Sequence, residues 1–426
     1  MIKNKIVKNA SWIIAGRIVQ AVLNLLITML TARFLGPANF GLIGYAASIV
    51  AFATPIMQLG ITSILVQELI LEPDKEGETL GTALVSCFIS GLLSMAGVIA
   101  FTMIANYSES ETIIVCALYS LTLLAQSLEC ITYWFQTHLL SKYTSIISLI
   151  AYIVVSAYKA YLLFANKEVH WFALSNALDF LLIGIASLIV YRKVGGSSFS
   201  FSMKSCKRML HRGKYYILSG LMITAFSQTD RVMLKLMVDN SAAGFYSAAV
   251  TCAGMAGFVA NAIIDSARPV IFESQKVSAE SFEKNMIRLY SVVIYFALLQ
   301  SIGITLLAKP IVYILYGQAY GATIPALRIV VWYTTFAYIG SVRNIWMLAK
   351  GKQHLIWKID VSGALANVVL NAILIPKFGV NGAAIASLAT QMLANVVVVA
   401  AMKEVRPNIT LMVKSLNPQR ILSLLK

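Results

Sequence analysis

The sequence predicts an all-α polytopic membrane protein with twelve transmembrane helices in two pseudo-symmetric six-helix lobes. Three observations predict it. First, 59% of the 426 residues are hydrophobic and only 12% charged, with a mean hydropathy of +0.78. Soluble domains carry roughly 25% charged residues, and no soluble core absorbs this much apolar sequence. Second, the apolar residues fall into twelve runs of spanning length. Third, a glycine–aromatic signal recurs about 200 residues apart, at Phe40-Gly41-Leu42-Ile43-Gly44-Tyr45-Ala46-Ala47 and at Ala243-Gly244-Phe245-Tyr246-Ser247-Ala248-Ala249. Each copy lies in a short outer turn that opens the next run. A repeat after six crossings relates the halves by an axis along the membrane normal, an arrangement that transporters use to hold cargo near mid-membrane.

In order, the spans lie at 11–33, 41–65, 80–104, 112–136, 143–164, 171–191, 215–236, 244–266, 289–308, 326–348, 356–375 and 380–402. At 1.5 Å per residue each crosses roughly 30 Å of hydrocarbon, and a helix pairs every backbone group internally. Lys3, Lys5 and Lys8 before the first run resemble a signal peptide. That run has no small-x-small cleavage site and contains Arg17, so it reads as an uncleaved first span.

The formal net charge of +16 is unevenly distributed. With the N-terminus inside, cytoplasmic segments hold 24 Lys and Arg and outer loops hold four, Arg33, Lys167, Lys309 and Lys377. This positive-inside bias places both termini in the cytoplasm, and it accounts for the basic charge without nucleic acid.

The expected organisation is an N-terminal lobe (1–195), a cytoplasmic basic linker (196–214), a C-terminal lobe (215–402) and a cytoplasmic basic tail (403–426). The linker joins small polar residues and aromatics to Lys204, Lys207, Arg208, Arg212 and Lys214, which predicts a helix on the anionic inner surface. The inner loop 267–288 mixes Val270, Ile271, Phe272, Phe282, Met286 and Ile287 with charges, a second interfacial candidate. Pro407 and Pro418 are expected to split the tail.

Charges at membrane depth are costly, and they face a bundle interior or a wet cavity. Arg17, Lys159, Arg231 and Arg343 are the candidates for a substrate-binding cavity. Arg17 and Arg231 lie roughly 10 and 24 Å from the inner edge, so the set offers cations at several depths. Such a lining suits an anionic head group, because Arg binds phosphate bidentately and stays charged. Glu129, Asp179 and Asp230 are candidate coupling or charge-balancing acids, able to hold H⁺ or Na⁺ or to neutralise Lys159 or Arg17. Each of these charges has a second role open to it, a structural pair with a neighbouring span. Pro55, midway through span 2, removes a backbone hydrogen bond and is the candidate hinge.

No enzymatic constellation stands out. GxSxG, HExxH and GxxxxGK[ST] are absent, which argues against an ATP-driven pump within the chain. The five cysteines form no CxxC pair and the four histidines have no metal-ligand spacing. Neither a cofactor nor a metal is expected.

Four stretches carry a family resemblance. They are Ala32-Arg33-Phe34-Leu35-Gly36-Pro37 with Asn39-Phe40-Gly41-Leu42; Asp230-Arg231-Val232-Met233-Leu234 leading to Ala243-Gly244-Phe245-Tyr246; Leu315-Tyr316-Gly317-Gln318-Ala319-Tyr320; and Leu370-Asn371 followed by Ile375-Pro376-Lys377-Phe378-Gly379-Val380-Asn381-Gly382. In their order and spacing they resemble the polysaccharide transporters, the Wzx-like O-antigen/oligosaccharide flippases of the MOP superfamily, which also holds the MATE drug exporters. The resemblance implies two six-helix lobes around a central cavity and alternating access. The cargo it implies is an undecaprenyl-diphosphate-linked oligosaccharide turned from the cytoplasmic to the outer leaflet of the bacterial inner membrane, for O-antigen, capsule or exopolysaccharide. Arg231 sits in the family's Asp-Arg motif. The expected partners are that lipid-linked cargo, membrane lipids, an H⁺ or Na⁺ coupling ion and the polysaccharide polymerase machinery. The competing readings are a MATE-like cation-coupled multidrug antiporter, which needs an acidic, aromatic cavity, and a membrane polysaccharide polymerase, which needs a large catalytic loop.

Overall fold

The computed structural model describes the backbone of residues 2–416 and the side chains of residue 20 and residues 23–416. Fifteen helices follow in order: α1 (Ile2–Met57), α2 (Ile61–Leu71), α3 (Glu76–Ala105), α4 (Ser110–Gln126), α5 (Cys130–Thr137), α6 (Ser141–Phe164), α7 (Val169–Lys193), α8 (Met203–Met237), α9 (Asn240–Gly254), α10 (Gly257–Val277), α11 (Ala279–Leu315), α12 (Thr323–Ala349), α13 (Ile356–Met392), α14 (Val398–Ala401) and α15 (Pro407–Ser415). No strand occurs among the described residues.

Seven helical runs are long and apolar enough to cross a membrane, or eight if the bent pair α9–α10 counts as one span. The run 353–401 takes in two of the expected spans, and the run 23–71 takes in the second half of the first span and all of the second. In both, the helix breaks at a left-handed glycine, Gly36 (φ 73°) and Gly379 (φ 54°). Nothing lies within 4 Å of where a Cβ would sit at either, so backbone conformation alone demands glycine there. The two remaining expected spans, in α8 and α12, carry the buried charges Asp230, Lys235 and Arg343 at depth, which lowers their apolarity. With them the helices are roughly consistent with the expected twelve crossings. The exposed Leu, Ile and Phe of α3, α6 and α11 form the lipid-facing surface such a protein requires.

The chain divides into two compact units, Met1–Thr224 and Ala225–Lys426, and the boundary falls inside α8.

In the first unit, α1 ends two residues after Pro55. The chain resumes as α2 after Leu59 (φ 52°) and Gly60 (φ 65°). A Cβ on Gly60 would lie 2.1 Å from the carbonyl oxygen of Gly213, so α8 crosses this break backbone to backbone. The linker, expected on the membrane surface, is also tied to protein. The Ser200 amide donates to the Gly77 carbonyl (3.2 Å) and the Ser202 amide to Thr82 Oγ1 (3.0 Å). Arg208 and Arg212 both bond Glu68, which is 2% exposed, and Arg208 also bonds Glu72. Two of the linker bases, Arg208 and Arg212, thus satisfy carboxylates at the end of α2. The Arg208 guanidinium, helped by Lys75, holds the Glu72 carboxyl below the usual carboxylate range.

In the second unit, the loop expected to be interfacial is helical on both sides of Ser278, whose hydroxyl caps α11 by accepting from the Ser281 amide (3.0 Å). Ile271, Phe282, Met286 and Ile287 are buried in a core that includes Val405 and Leu411. Their apolar character marks helix packing beyond the bilayer-length segment. Pro407 does not split the tail but opens α15, where its missing N–H costs nothing. Tyr290 donates to Asn408 Oδ1 (2.8 Å) and Ser291 to the Ser415 carbonyl (3.0 Å), fixing α15 on α11.

Candidate functional site

Each unit holds a polar cavity lined by residues of its predicted spans. The cavity of the second unit measures about 220 Å³, and Gln228, Asp230, Arg231, Tyr246, Tyr333 and Gln391 are among its lining residues. Asp230 is 5% exposed. Its Oδ1 accepts from Asn367 Nδ2 (2.9 Å) and Asn371 Nδ2 (2.5 Å). Its Oδ2 accepts from the Tyr246 hydroxyl (2.6 Å) and the Ser387 hydroxyl (2.7 Å). Four neutral donors from α8's neighbours therefore satisfy one carboxylate, so the acid needs no cation and does not consume the adjacent guanidinium. Arg231 donates from Nη1 to Gln228 Oε1 (2.6 Å), while its Nε is buried without a hydrogen-bond partner. Arg231 therefore keeps donors for a further acceptor beside a carboxylate whose oxygens are already hydrogen-bonded.

Arg343 was expected among the cavity-lining cations, but it does not line this cavity. It is 3% exposed, and it donates to Asn395 Oδ1 (2.8 Å) and to Asn344 Oδ1 (2.8 and 3.3 Å). Local structure makes room for this. Residues Leu393–Val397 form a π-helical turn, and a Cβ on Gly340 would lie 2.3 Å from Asn395 Oδ1.

The cavity of the first unit measures about 430 Å³ and is lined by Gln20, Asn24, Tyr152, Val155, Ser156, Lys159, Asn176 and Asp179. Tyr152 donates to Asn24 Oδ1 (3.0 Å). Lys159 and Asp179 interact electrostatically across it, with no direct ion pair among the described residues, and Asp179 Oδ1 is buried without a hydrogen-bond partner. Glu129 does not line this cavity. It ends a 3₁₀ turn, Ser127–Glu129, that interrupts the fourth span, and it accepts from Gln126 Nε2 (3.4 Å). Pro55 packs against α8, where a Cβ on Gly220 would lie 2.9 Å from the proline Cβ. The side chain of Arg17 lies outside the described residues.

The structure thus brings Asp230 and Arg231 into one cavity and Lys159 and Asp179 into another. Uncharged residues organise both. These are carboxamides spaced four apart on one helix face: Gln20 and Asn24, Asn367 and Asn371, Gln391 and Asn395. That spacing was visible in otherwise apolar runs and could have marked the polar faces.

A family of polysaccharide biosynthesis proteins matches residues 6–275. An uncharacterized membrane protein of Methanocaldococcus jannaschii is 23% identical over 240 residues, 52% of this chain and 47% of that protein. The chain spans about half the length of this curated relative. Among solved structures, the lipid II flippase MurJ in an inward closed conformation superposes with a TM-score of 0.71 at 13% identity, covering 94% of this chain and 90% of that one. An inward-facing multidrug resistance MATE transporter of the MOP superfamily superposes with a TM-score of 0.65 at 16% identity, covering 94% and 96%. At these identities the likeness concerns the fold. The chain is an integral membrane protein with the fold of MOP-superfamily transporters, and it belongs to the family of polysaccharide biosynthesis proteins.

Proposed function

We propose that the protein is a flippase. It translocates undecaprenyl-diphosphate-linked oligosaccharide repeat units from the cytoplasmic to the outer leaflet of the bacterial plasma membrane by alternating access, for surface polysaccharide biosynthesis. Both termini lie in the cytoplasm. The observation that carries this reading is Arg231, a guanidinium with unused donors in a cavity whose acid is already satisfied. A diphosphate supplies the oxygens such a group lacks. Each glycan hydroxyl moved unaided through hydrocarbon would cost roughly 2–7 kcal/mol, and a wet polar cavity removes that barrier. Family membership supports a polysaccharide precursor as cargo.

A MATE-like antiporter is the second reading, favoured by Asp179 and its unpartnered Oδ1 in the first unit's cavity. One acid facing one lysine makes a weak site for an organic cation. The same pair serves a flippase as the seat of a coupling H⁺ or Na⁺.

The test is complementation of a deletion strain by wild type or by Arg231→Ala at matched membrane levels. The expected result is accumulation of diphosphate-linked repeat units on the cytoplasmic face and loss of surface polymer in the deletion, with Arg231→Ala failing to rescue. Normal polymer together with altered drug sensitivity would replace the flippase by the antiporter. Full rescue by Arg231→Ala would keep the flippase and discard Arg231 as its cargo contact.

A further inference from the structure

We infer that Arg343 is a positioning residue for the second unit's cavity. Acting through Asn395, it turns the Gln391 carboxamide so that its nitrogen donates into the cavity, which makes the site selective for a diphosphate. This rests on the flippase reading above.

A carboxamide can present either its oxygen or its nitrogen, and only its partners decide which. Arg343 is donor-only and permanently charged, so its Nη1 at 2.8 Å can face nothing but Asn395 Oδ1. Asn395 must then direct its nitrogen away. That nitrogen donates to Gln391 Oε1 (2.7 Å) and to the Gln391 carbonyl (3.1 Å). With its oxygen accepting, Gln391 has only Nε2 left to offer the cavity it lines.

Arg343, Asn395 and Gln391 are each under 10% exposed, so solvent does not reset their orientations. Gly340 admits the Asn395 head group, and the π-helical turn at Leu393–Val397 sets its position. Beside Gln391 the cavity holds Arg231 with its unpartnered Nε and Thr390 with an unpartnered buried hydroxyl. A second chain of bonds runs the opposite way. Asp230 accepts only, and it draws the nitrogens of Asn367 and Asn371 toward itself. The two anchors keep the donors of Arg231 and Gln391 turned to the cavity, where a diphosphate can accept from both.

The experiment measures binding of inorganic pyrophosphate to the full chain in detergent by calorimetry. It compares wild type, Arg231→Ala, Asn395→Asp, Gln391→Leu and the Asn395→Asp/Gln391→Leu double variant, with melting temperatures as a check of folding. Asn395→Asp keeps a partner for Arg343 but can only accept, so Gln391 must rotate and present its oxygen. Affinity is expected to fall roughly tenfold, as for loss of a hydrogen bond to a charged group. Gln391→Leu should weaken binding about threefold to tenfold. The double variant should bind no more weakly than Asn395→Asp alone, because the rotated Gln391 has nothing left to lose. Additive losses would indicate only an extra negative charge near the site, and they would overturn the relay. Unchanged affinity in Asn395→Asp or in Gln391→Leu would overturn it too. If Asn395→Asp melts early, Arg343→Lys stands in for it, keeping the charge without the fork, with about a threefold loss expected and wild-type affinity overturning the relay. Failure of wild type to bind pyrophosphate would overturn the diphosphate site and the relay together. Binding that is abolished by Arg231→Ala but indifferent to Asn395→Asp would leave the diphosphate reading standing and remove the relay alone.

Discussion

The two units each hold a polar cavity with one acid and one cation, yet the acids live differently. In the second unit Asp230 accepts four hydrogen bonds from neutral groups, and its neighbour Arg231 is left with unused donors. In the first unit Asp179 keeps a buried, unbonded oxygen and faces Lys159 across about 430 Å³. The repeated tyrosines show the same divergence. Tyr246 donates to a carboxylate, whereas Tyr45 donates to the Asn106 amide (2.8 Å). A carboxylate whose oxygens are filled by fixed neutral donors serves architecture and leaves the arginine's remaining donors to other acceptors. A carboxylate with an open oxygen retains the capacity to bind and release a cation. On the proposed flippase reading, cargo anchoring would fall to the second unit and coupling to the first.

The sharpest way to break this assignment is to remove each acid. Asp230→Ala removes the shared acceptor of four buried donors, of which Tyr246 and Ser387 can still bond each other and Asn371 still bonds Asn367, and should destabilise the detergent-solubilised protein by about 3 kcal/mol. Asp179→Ala should cost about 1 kcal/mol or less and instead abolish any dependence of transport on a proton or sodium gradient. Thermal unfolding read beside gradient-driven transport measures both, and equal destabilisation would erase the distinction.

Next in size is the tyrosine pair. Tyr246→Phe loses a charge-assisted bond and should cost about 1.5–3 kcal/mol, against about 0.5–1.5 kcal/mol for Tyr45→Phe. Their melting temperatures give the order, and reversal would mean that the Asp230 cluster is not the stiffer of the two.

The smallest effect expected is a pH dependence confined to the first unit. Arg208 and Lys75 depress the Glu72 carboxyl below its unfolded value of about 4.3. A depressed folded pKa contributes stability that is fully present above about pH 4.3 and lost as pH falls through the lower folded value. Melting temperature should therefore fall on acidification below that point, and Glu72→Gln should flatten the slope. An unchanged slope would mean that Arg208 is held by Glu68 alone.

How much of this was legible in the sequence varied with distance along the chain. The breaks at Gly36 and Gly379 sit between apolar runs, beside prolines at 37 and 376, and the run lengths gave the crossings. Asp230 and Arg231 stood out as charges in an apolar run. That the acid would be satisfied by Asn367, Asn371, Tyr246 and Ser387 was not legible, because these donors lie 16 to 157 residues away. The protein contacts of the linker and of the 267–288 segment were not legible for a related reason. Basic and apolar residues in a short segment fit a lipid surface and a protein surface equally well, and only the position of Glu68 and of the second unit's core separates the two.

By itself the sequence determined the solvent and the number of crossings, since hydrophobic burial over 19–25 residues and obligatory backbone pairing leave few alternatives in lipid. It also determined which residues would be expensive to bury. Only the tertiary structure decided what those residues do. A buried charge takes its role from the donors and acceptors brought to it from other helices, and short-range hydrogen bonds between distant residues leave no local trace in the chain.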